Sequence, residues 1–119
     1  MNDAALIEAG KEVAELLAAR RFDELGSRFD YALKFQDDAK SAIEHDFDEA
    51  ACECTGNPID SPPLVSVSHL QPNDAGLVSL VECRLQYQEA TGVLAELVLN
   101  SAGNLYLEQV SGYGERPST

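Results

Sequence analysis

The sequence predicts an α+β fold in which N-terminal helices pack on one face of a four-stranded antiparallel meander. Three observations predict it. Apolar residues over positions 3–51 recur at three- and four-residue spacing, which is typical of amphipathic helices. Residues 55–63 are dense in glycine, proline and asparagine, so we expect an ordered loop there. Beyond this loop the apolar period falls to two and short turns separate the runs, as in antiparallel strands.

Two helices are predicted at the start of the chain. Residues 3–19 place apolar side chains such as Leu6 and Leu17 on one face, and Asn2 can cap the first turn. Residues 22–35 repeat the pattern after a tight connection, with aromatic and leucine residues three or four positions apart. We therefore expect two amphipathic helices whose apolar faces meet the same core.

A third helix is predicted from Asp38 through Ala51. Ile43, Phe47 and Ala51 are four positions apart and share a face, and Asp37 and Asp38 can cap the first turn. The polar face of this helix carries most of the acidic residues in this part of the chain. The helix is therefore expected to bury one side and to expose a strongly acidic one.

Four strands are predicted near residues 64–70, 77–87, 93–99 and 105–110. The second strand alternates most clearly, since Val81, Cys83, Leu85 and Tyr87 fall on one face. We expect one domain over residues 1–113 and a polar tail over 114–119. The predicted core consists of Leu6, Ile7, Val13, Leu17, Phe22, Leu25, Phe29, Val81, Leu85, Leu97 and Leu107.

The charge of the chain is concentrated in one segment. The formal net charge is −13, and residues 37–60 carry eight carboxylates against Lys40 alone. Such a surface repels nucleic acid and anionic membranes and attracts cationic partners. We therefore expect a basic protein partner, with no nucleic acid and no membrane. The predicted partner-binding residues are Asp37, Asp38, Glu44, Asp46, Asp48, Glu49 and Glu53.

Compartment and thiol state follow from composition. No apolar run approaches the roughly 20 residues that cross a bilayer, and the N-terminus lacks the pattern of a secretory leader. We therefore expect a cytoplasmic protein. Cys52, Cys54 and Cys83 are an odd number of cysteines, which fits reduced thiols better than disulfides.

Potential metal ligands are dense between Glu44 and Cys54. His45 and Glu49 are four apart, so on a helix they share a face. The order is not H-E-x-x-H, and the spacing of Cys52 and Cys54 is shorter than in zinc knuckles. We therefore expect no metal and no other cofactor. No hydrolase elbow, reactive-cysteine signature or phosphate loop is present, so no catalytic residue is predicted.

The order of elements resembles the nuclear transport factor 2-like superfamily. Residues 14–29, AELLAARRFDELGSRF, are similar to that family's opening of a long helix, a short turn and an aromatic-acid-x-leucine start. Residues 97–110, LVLNSAGNLYLEQV, are similar to its final hairpin. The resemblance implies a curved sheet in a cone-like roll. Some bacterial toxin-immunity families adopt this roll.

Enzymes of the resembled superfamily place a carboxylate and a tyrosine or histidine inside the cone. The side chains here that could point inward are Asp30, Tyr31, His69, Tyr87 and Tyr106. None of them matches a catalytic motif of the family. We therefore expect the three tyrosines to lie at the boundary of the core with their hydroxyl groups in water.

Three functions from different classes fit these observations. The first is an acidic inhibitor, similar to bacterial immunity proteins, that binds and neutralises a basic toxin or nuclease-like partner. The second is a small-ligand-binding or isomerase-like cone protein. The third is a structural subunit that forms a homodimer through its sheet face. The inhibitor is preferred, because it explains the concentrated charge. Acidic solubility is the alternative explanation of that charge.

Overall fold

The computed structural model describes residues 2–32, 38–52, 54–58, 63–88 and 91–114. It confirms the predicted α+β fold, with helices packed on one face of an antiparallel meander. The helices are α1 (Asp3–Ala18), α2 (Phe22–Phe29) and α3 (Ala39–Cys52). The strands are β1 (Thr55–Pro58), β2 (Leu64–His69), β3 (Leu77–Gln88), β4 (Thr91–Asn100) and β5 (Leu105–Gly114).

The meander runs β2–β3–β4–β5, each strand pairing antiparallel with the next. The short strand β1 pairs with the end of β3, on the edge that β2 also occupies, with Pro58 opposite Tyr87. The prediction of a loop over residues 55–63 is therefore wrong for its first part. The twelve-residue strand β3 extends beyond β2 and leaves backbone groups with which β1 can pair. Residues 59–62 lie outside the described part of the chain.

Helix α2 is shorter than the sequence predicts. It ends at Phe29, because Asp30 takes the dihedral angles φ 57° and ψ −175°, which no α-helix can continue. The chain then runs beside β5, where Tyr31 forms a parallel bridge with Leu107. Of the predicted helical extension, residues 33–35 lie outside the described residues. This turn at Asp30 brings the Tyr31 side chain beneath α3.

The core lies between the helices and the inner face of the sheet. Helix α1 packs on β2 and β3, α3 packs on β4 and β5, and α2 packs on α3. Most of the predicted core is confirmed, but Ile7 and Leu85 are only half-buried. The predicted residues that are buried are Leu6, Val13, Leu17, Phe22, Leu25, Phe29, Val81, Leu97 and Leu107.

Strand β5 is longer than predicted. It continues past Val110 to Gly114, because Thr91–Leu94 of β4 offer backbone partners along its whole length. Residues 111–114 therefore belong to the sheet, although their sequence is polar and rich in glycine. Among the described residues, no helix combines the length and hydropathy needed to span a membrane.

Candidate functional site

The predicted acidic surface lies on α3. This helix buries Ala42, Ile43, Phe47 and Ala50 against the rest of the fold. The acidic residues of α3 lie on its remaining surface and are exposed or half-buried. Amphipathic spacing thus produces the arrangement that the sequence predicted, with a carboxylate-rich face turned outward.

Arg20 organises two of these carboxylates. Its guanidinium donates hydrogen bonds to both carboxylate oxygens of Asp48, at 2.9 and 3.3 Å, and lies 3.6 Å from a carboxylate oxygen of Glu44. It also lies over the rings of Phe22 and Phe47. The hydrogen bond with Asp48 raises the pKa of Arg20 above its ordinary value. Arg20 therefore holds Glu44 and Asp48 together at the surface, while a bidentate contact fixes the Asp48 carboxylate.

Asp46 points to the sheet side of α3. Its carboxylate accepts a 2.5 Å hydrogen bond from the hydroxyl group of Tyr31, which in turn accepts one from the backbone N–H of Val110 at 3.1 Å. Tyr31 is only 1% exposed, so the prediction that its hydroxyl lies in water is wrong. Tyr87 is also buried and Tyr106 is half-buried. Asp46 thus belongs partly to the packing between α3 and β5.

His45 and Glu49 form the next contact along α3. The imidazole Nε2 lies 3.5 Å from a carboxylate oxygen of Glu49, and both side chains are exposed. Glu49 and Asp46 also line a shallow depression of about 180 Å³, whose opposite side is formed by Val110, Ser111 and Gly112 of β5. This depression places the backbone of the last strand beside the acidic helix.

The remaining predicted residues contribute differently. Asp38 accepts a hydrogen bond from the N–H of Ser41 at 2.7 Å, which holds the pKa of that carboxyl below its usual range. Asp38 thus caps α3, as the sequence predicted. Asp37 and Glu53 lie outside the described residues. The structure therefore brings together Glu44, Asp46, Asp48 and Glu49 on one helix.

We call Glu44, Asp48 and Glu49 the acidic ridge. Their side chains are 46, 50 and 69% exposed. Arg20 compensates one of the three negative charges, so the ridge keeps a net negative charge. Exposed carboxylates of this kind steer cationic partners from a distance and pair with arginine or lysine on contact.

A second set of carboxylates was missed by the sequence reading. On the sheet face opposite the helices, Glu82 of β3 stands directly across from Glu96 of β4. Burial, then Glu82 and Glu108, raise the pKa of Glu96, and Arg84 opposes this effect. Arg84 lies 3.3 Å from Glu82. The period-two pattern places Glu82 and Arg84 on the outer face, but only strand register shows that two glutamates meet.

A large groove runs along α1. It has a volume of about 770 Å³, and its walls come from α1, from the end of α2 and from the turn between β4 and β5. Arg28 pairs with Glu12 within it, and Lys11 lies 3.6 Å from Glu8. His69 does not line this groove. Its imidazole contacts Asp3 at 2.9 Å and Ser79 at 3.0 Å.

Comparisons of the chain with protein-family models, with curated proteins and with solved structures find no match. Functional inference for this protein therefore rests on the geometry and charge of its own surfaces. The acidic ridge concentrates exposed charge on a rigid element, and rigid elements position binding groups better than loops do.

Proposed function

We propose that this protein is an acidic inhibitor that binds a basic protein partner through the acidic ridge of α3. The observation that carries the proposal is that Glu44, Asp48 and Glu49 all present largely exposed carboxylates on a single helix. A cationic cleft that normally holds an anionic substrate would accept such a surface in place of that substrate. The partner class that fits is a toxin or nuclease-like protein.

Preorganisation supports this proposal. Binding is weakened when flexible side chains must be ordered on contact, at a cost of about 0.5–1.5 kcal/mol for each side chain. Asp48 is already fixed by two hydrogen bonds from Arg20, and Arg20 is itself stacked on Phe22 and Phe47. The partner therefore meets a carboxylate whose position is set before the encounter.

Long-range attraction supports the proposal as well. The chain carries a formal net charge of −13, so its field attracts a basic partner before contact. Glu49 is the most exposed residue of the ridge, so its charge acts mainly on the association rate. Asp48 lies at the contact with Arg20, and a partner arginine there competes for the same carboxylate. Neutralisation of Asp48 should mainly speed dissociation of the complex.

The proposal places the protein in the cytoplasm as an immunity-type protein of the nuclear transport factor 2-like roll. A protein that neutralises a toxin inside the producing cell is needed in that compartment. The resemblance of residues 14–29 and 97–110 to that roll supports this part of the proposal. No catalytic role is assigned to Tyr31, because its buried hydroxyl is engaged by both Asp46 and Val110.

A small-ligand-binding protein is the second candidate function. The groove along α1, at about 770 Å³, has a volume within the usual range of ligand pockets, about 300–1,000 Å³. Glu8, Glu12 and Glu15 lie along one wall, whereas Phe29 and Leu105 add apolar surface. Lys11 pairs with Glu8 and Arg28 pairs with Glu12, so the lining suits a ligand that has an apolar part and both donor and acceptor groups.

The test begins with the full chain as immobilised bait, to capture a basic protein and identify it. Binding kinetics are then measured at several salt concentrations for the ridge variant Glu44→Gln, Asp48→Asn and Glu49→Gln. The matched control variant is Glu8→Gln, Glu15→Gln and Asp74→Asn, which removes the same three negative charges from other exposed positions. Circular dichroism of both variants establishes that folding is intact.

The ridge variant is expected to bind much more weakly and to lose part of the salt dependence, because fewer ion pairs form. The control variant should keep most of the affinity. Equal loss in both variants would attribute binding to net charge alone and contradict a specific surface. Loss in the control variant only would favour the groove along α1, since Glu8 and Glu15 line it.

A further inference from the structure

We infer that His45, Asp46 and Glu49 form a binding site for a divalent transition-metal ion, with Zn²⁺ as the natural probe. These three side chains lie on α3, and one donor atom from each comes within 4.8 Å of the other two. An imidazole nitrogen with two carboxylate oxygens is a donor set that zinc accepts. The inference goes beyond the proposed function and does not depend on it.

The distances fit coordination with small side-chain movements. Zinc binds nitrogen and oxygen at about 2.0–2.2 Å, so two ligands in a tetrahedral site lie roughly 3.4 Å apart. The imidazole Nε2 of His45 and a carboxylate oxygen of Glu49 lie 3.5 Å apart. One turn of α3 therefore already presents two ligand atoms at the spacing of a coordination edge, and rotation of exposed side chains can close the third distance.

Asp46 is supported from inside the fold. One oxygen of its carboxylate accepts the 2.5 Å hydrogen bond from Tyr31, and the Tyr31 side chain is buried. The other carboxylate oxygen remains available to a metal. Carboxylate ligands in metal sites are commonly oriented by such outer hydrogen bonds, and loss of one typically weakens metal binding about 10- to 100-fold. Tyr31 would be the positioning residue of this site.

The surroundings provide space and charge. The depression of about 180 Å³ beside Asp46 and Glu49 has room for water ligands that complete the coordination of the ion. Its far side is formed by Val110, Ser111 and Gly112. Neighbouring carboxylates on α3 and the formal net charge of −13 further favour a divalent cation.

A site with three protein ligands leaves at least one coordination position to water, unlike a structural zinc site with four protein ligands. This differs from the expectation of no metal, which rested on the absence of H-E-x-x-H and zinc-knuckle spacing. Those motifs do not cover a set in which the ligands occupy positions i, i+1 and i+4 of one helix. Only the side-chain geometry, with Asp46 held by Tyr31, shows that Asp46 can join His45 and Glu49.

The experiment is isothermal titration of the full, reduced chain with ZnCl₂, together with thermal unfolding with and without the ion. We expect binding of one Zn²⁺ per chain and a higher melting temperature, since an ion that binds the folded state stabilises it. His45→Ala and Glu49→Gln should each weaken binding at least about tenfold. Both side chains are exposed, so neither change should impair folding.

Two controls locate the site. His69→Ala removes the other histidine, which contacts Asp3 and Ser79 away from α3. This variant should leave zinc binding unchanged. Cys52→Ser removes the exposed thiol and should also leave it unchanged. Loss of binding in either control, retention in His45→Ala, or no binding by the unmodified chain would overturn the inference.

Discussion

The hydroxyl group of Tyr31 donates a 2.5 Å hydrogen bond to the carboxylate of Asp46. The hydroxyl oxygen of Tyr31 also accepts a hydrogen bond from the N–H of Val110, 79 positions further along the chain. One buried side chain therefore ties the segment after α2 to α3 and to the last strand. This contact also sets the direction in which Asp46 faces, and so separates Asp46 from the carboxylates of the acidic ridge, which face solvent or Arg20.

Tyr31→Phe is expected to destabilise the fold. The change leaves the Val110 N–H without its partner and removes the donor to Asp46, at a cost of about 1–3 kcal/mol. Urea denaturation gives the free energy of unfolding. Tyr106→Phe, at a half-buried position, serves as the control and should change stability by less. Equal stability of Tyr31→Phe and the unmodified protein would contradict the structural role of the hydroxyl group.

Alkaline pH should weaken the fold through Tyr31. Burial, and then the hydrogen bond to Asp46, raise the pKa of its hydroxyl above the ordinary value of about 10. The folded state therefore favours the neutral phenol, and this stabilisation is complete below about pH 10 and lost as the pH rises towards the folded-state pKa. The free energy of unfolding, measured between about pH 9 and 11.5, should fall less steeply in Tyr31→Phe.

Gly10→Ala should lower stability although alanine favours helices by about 1 kcal/mol. Helix α1 approaches the sheet so closely here that an added Cβ atom would lie 2.7 Å from a methyl group of Val65 and 3.0 Å from one of Val81. Both neighbours are β-branched and stiff, and overpacking costs about 1–3 kcal/mol. Chemical denaturation should show a lower midpoint. A more stable variant would contradict this, because it would show that Val65 and Val81 shift at little cost in free energy.

Glu96→Gln should stabilise the protein at neutral pH. The change removes the repulsion between Glu96 and Glu82, which stand opposite each other on adjacent strands, and the gain should be up to about 1 kcal/mol. The raised pKa of Glu96 means that its charged carboxylate lowers the stability of the fold at pH 7. Protonation relieves this cost as the pH falls from 7 towards the ordinary glutamate value of about 4.3. The advantage of the variant in thermal unfolding should shrink over that range, whereas Glu15→Gln should show neither effect.

Cys52 and Cys83 should react at very different rates with a disulfide reagent. Cys52 is exposed, whereas Cys83 is buried in the core. Burial raises the pKa of the Cys83 thiol to about 12, so almost no thiolate is present near pH 8. We expect Cys52 to react fast in the native protein and Cys83 to react only on unfolding. Cys52→Ser should remove the fast phase, and rapid reaction of Cys83 in the native state would contradict its burial.

Much of the fold follows from local patterns in the sequence. The helical spacing around Leu6, Leu17 and Phe47 and the alternation around Val81 predict the elements and their buried faces, because each element must bury its apolar side. The prediction fails where backbone conformation decides. Asp30 ends α2 early through its positive φ. Strand β1, in a segment rich in turn residues, forms because it can pair with the free edge of β3.

By itself, the sequence determined the α+β class, most of the core and the placement of Glu44, Asp48 and Glu49 on the exposed side of α3. Helical spacing and strand alternation predict these features without any distant contact. Only the tertiary structure decided that Arg20 pairs with Asp48, that Glu96 faces Glu82 and that Tyr31 is buried against Asp46. The physical reason is that such contacts depend on strand register and on how the chain turns between elements, which no local pattern encodes.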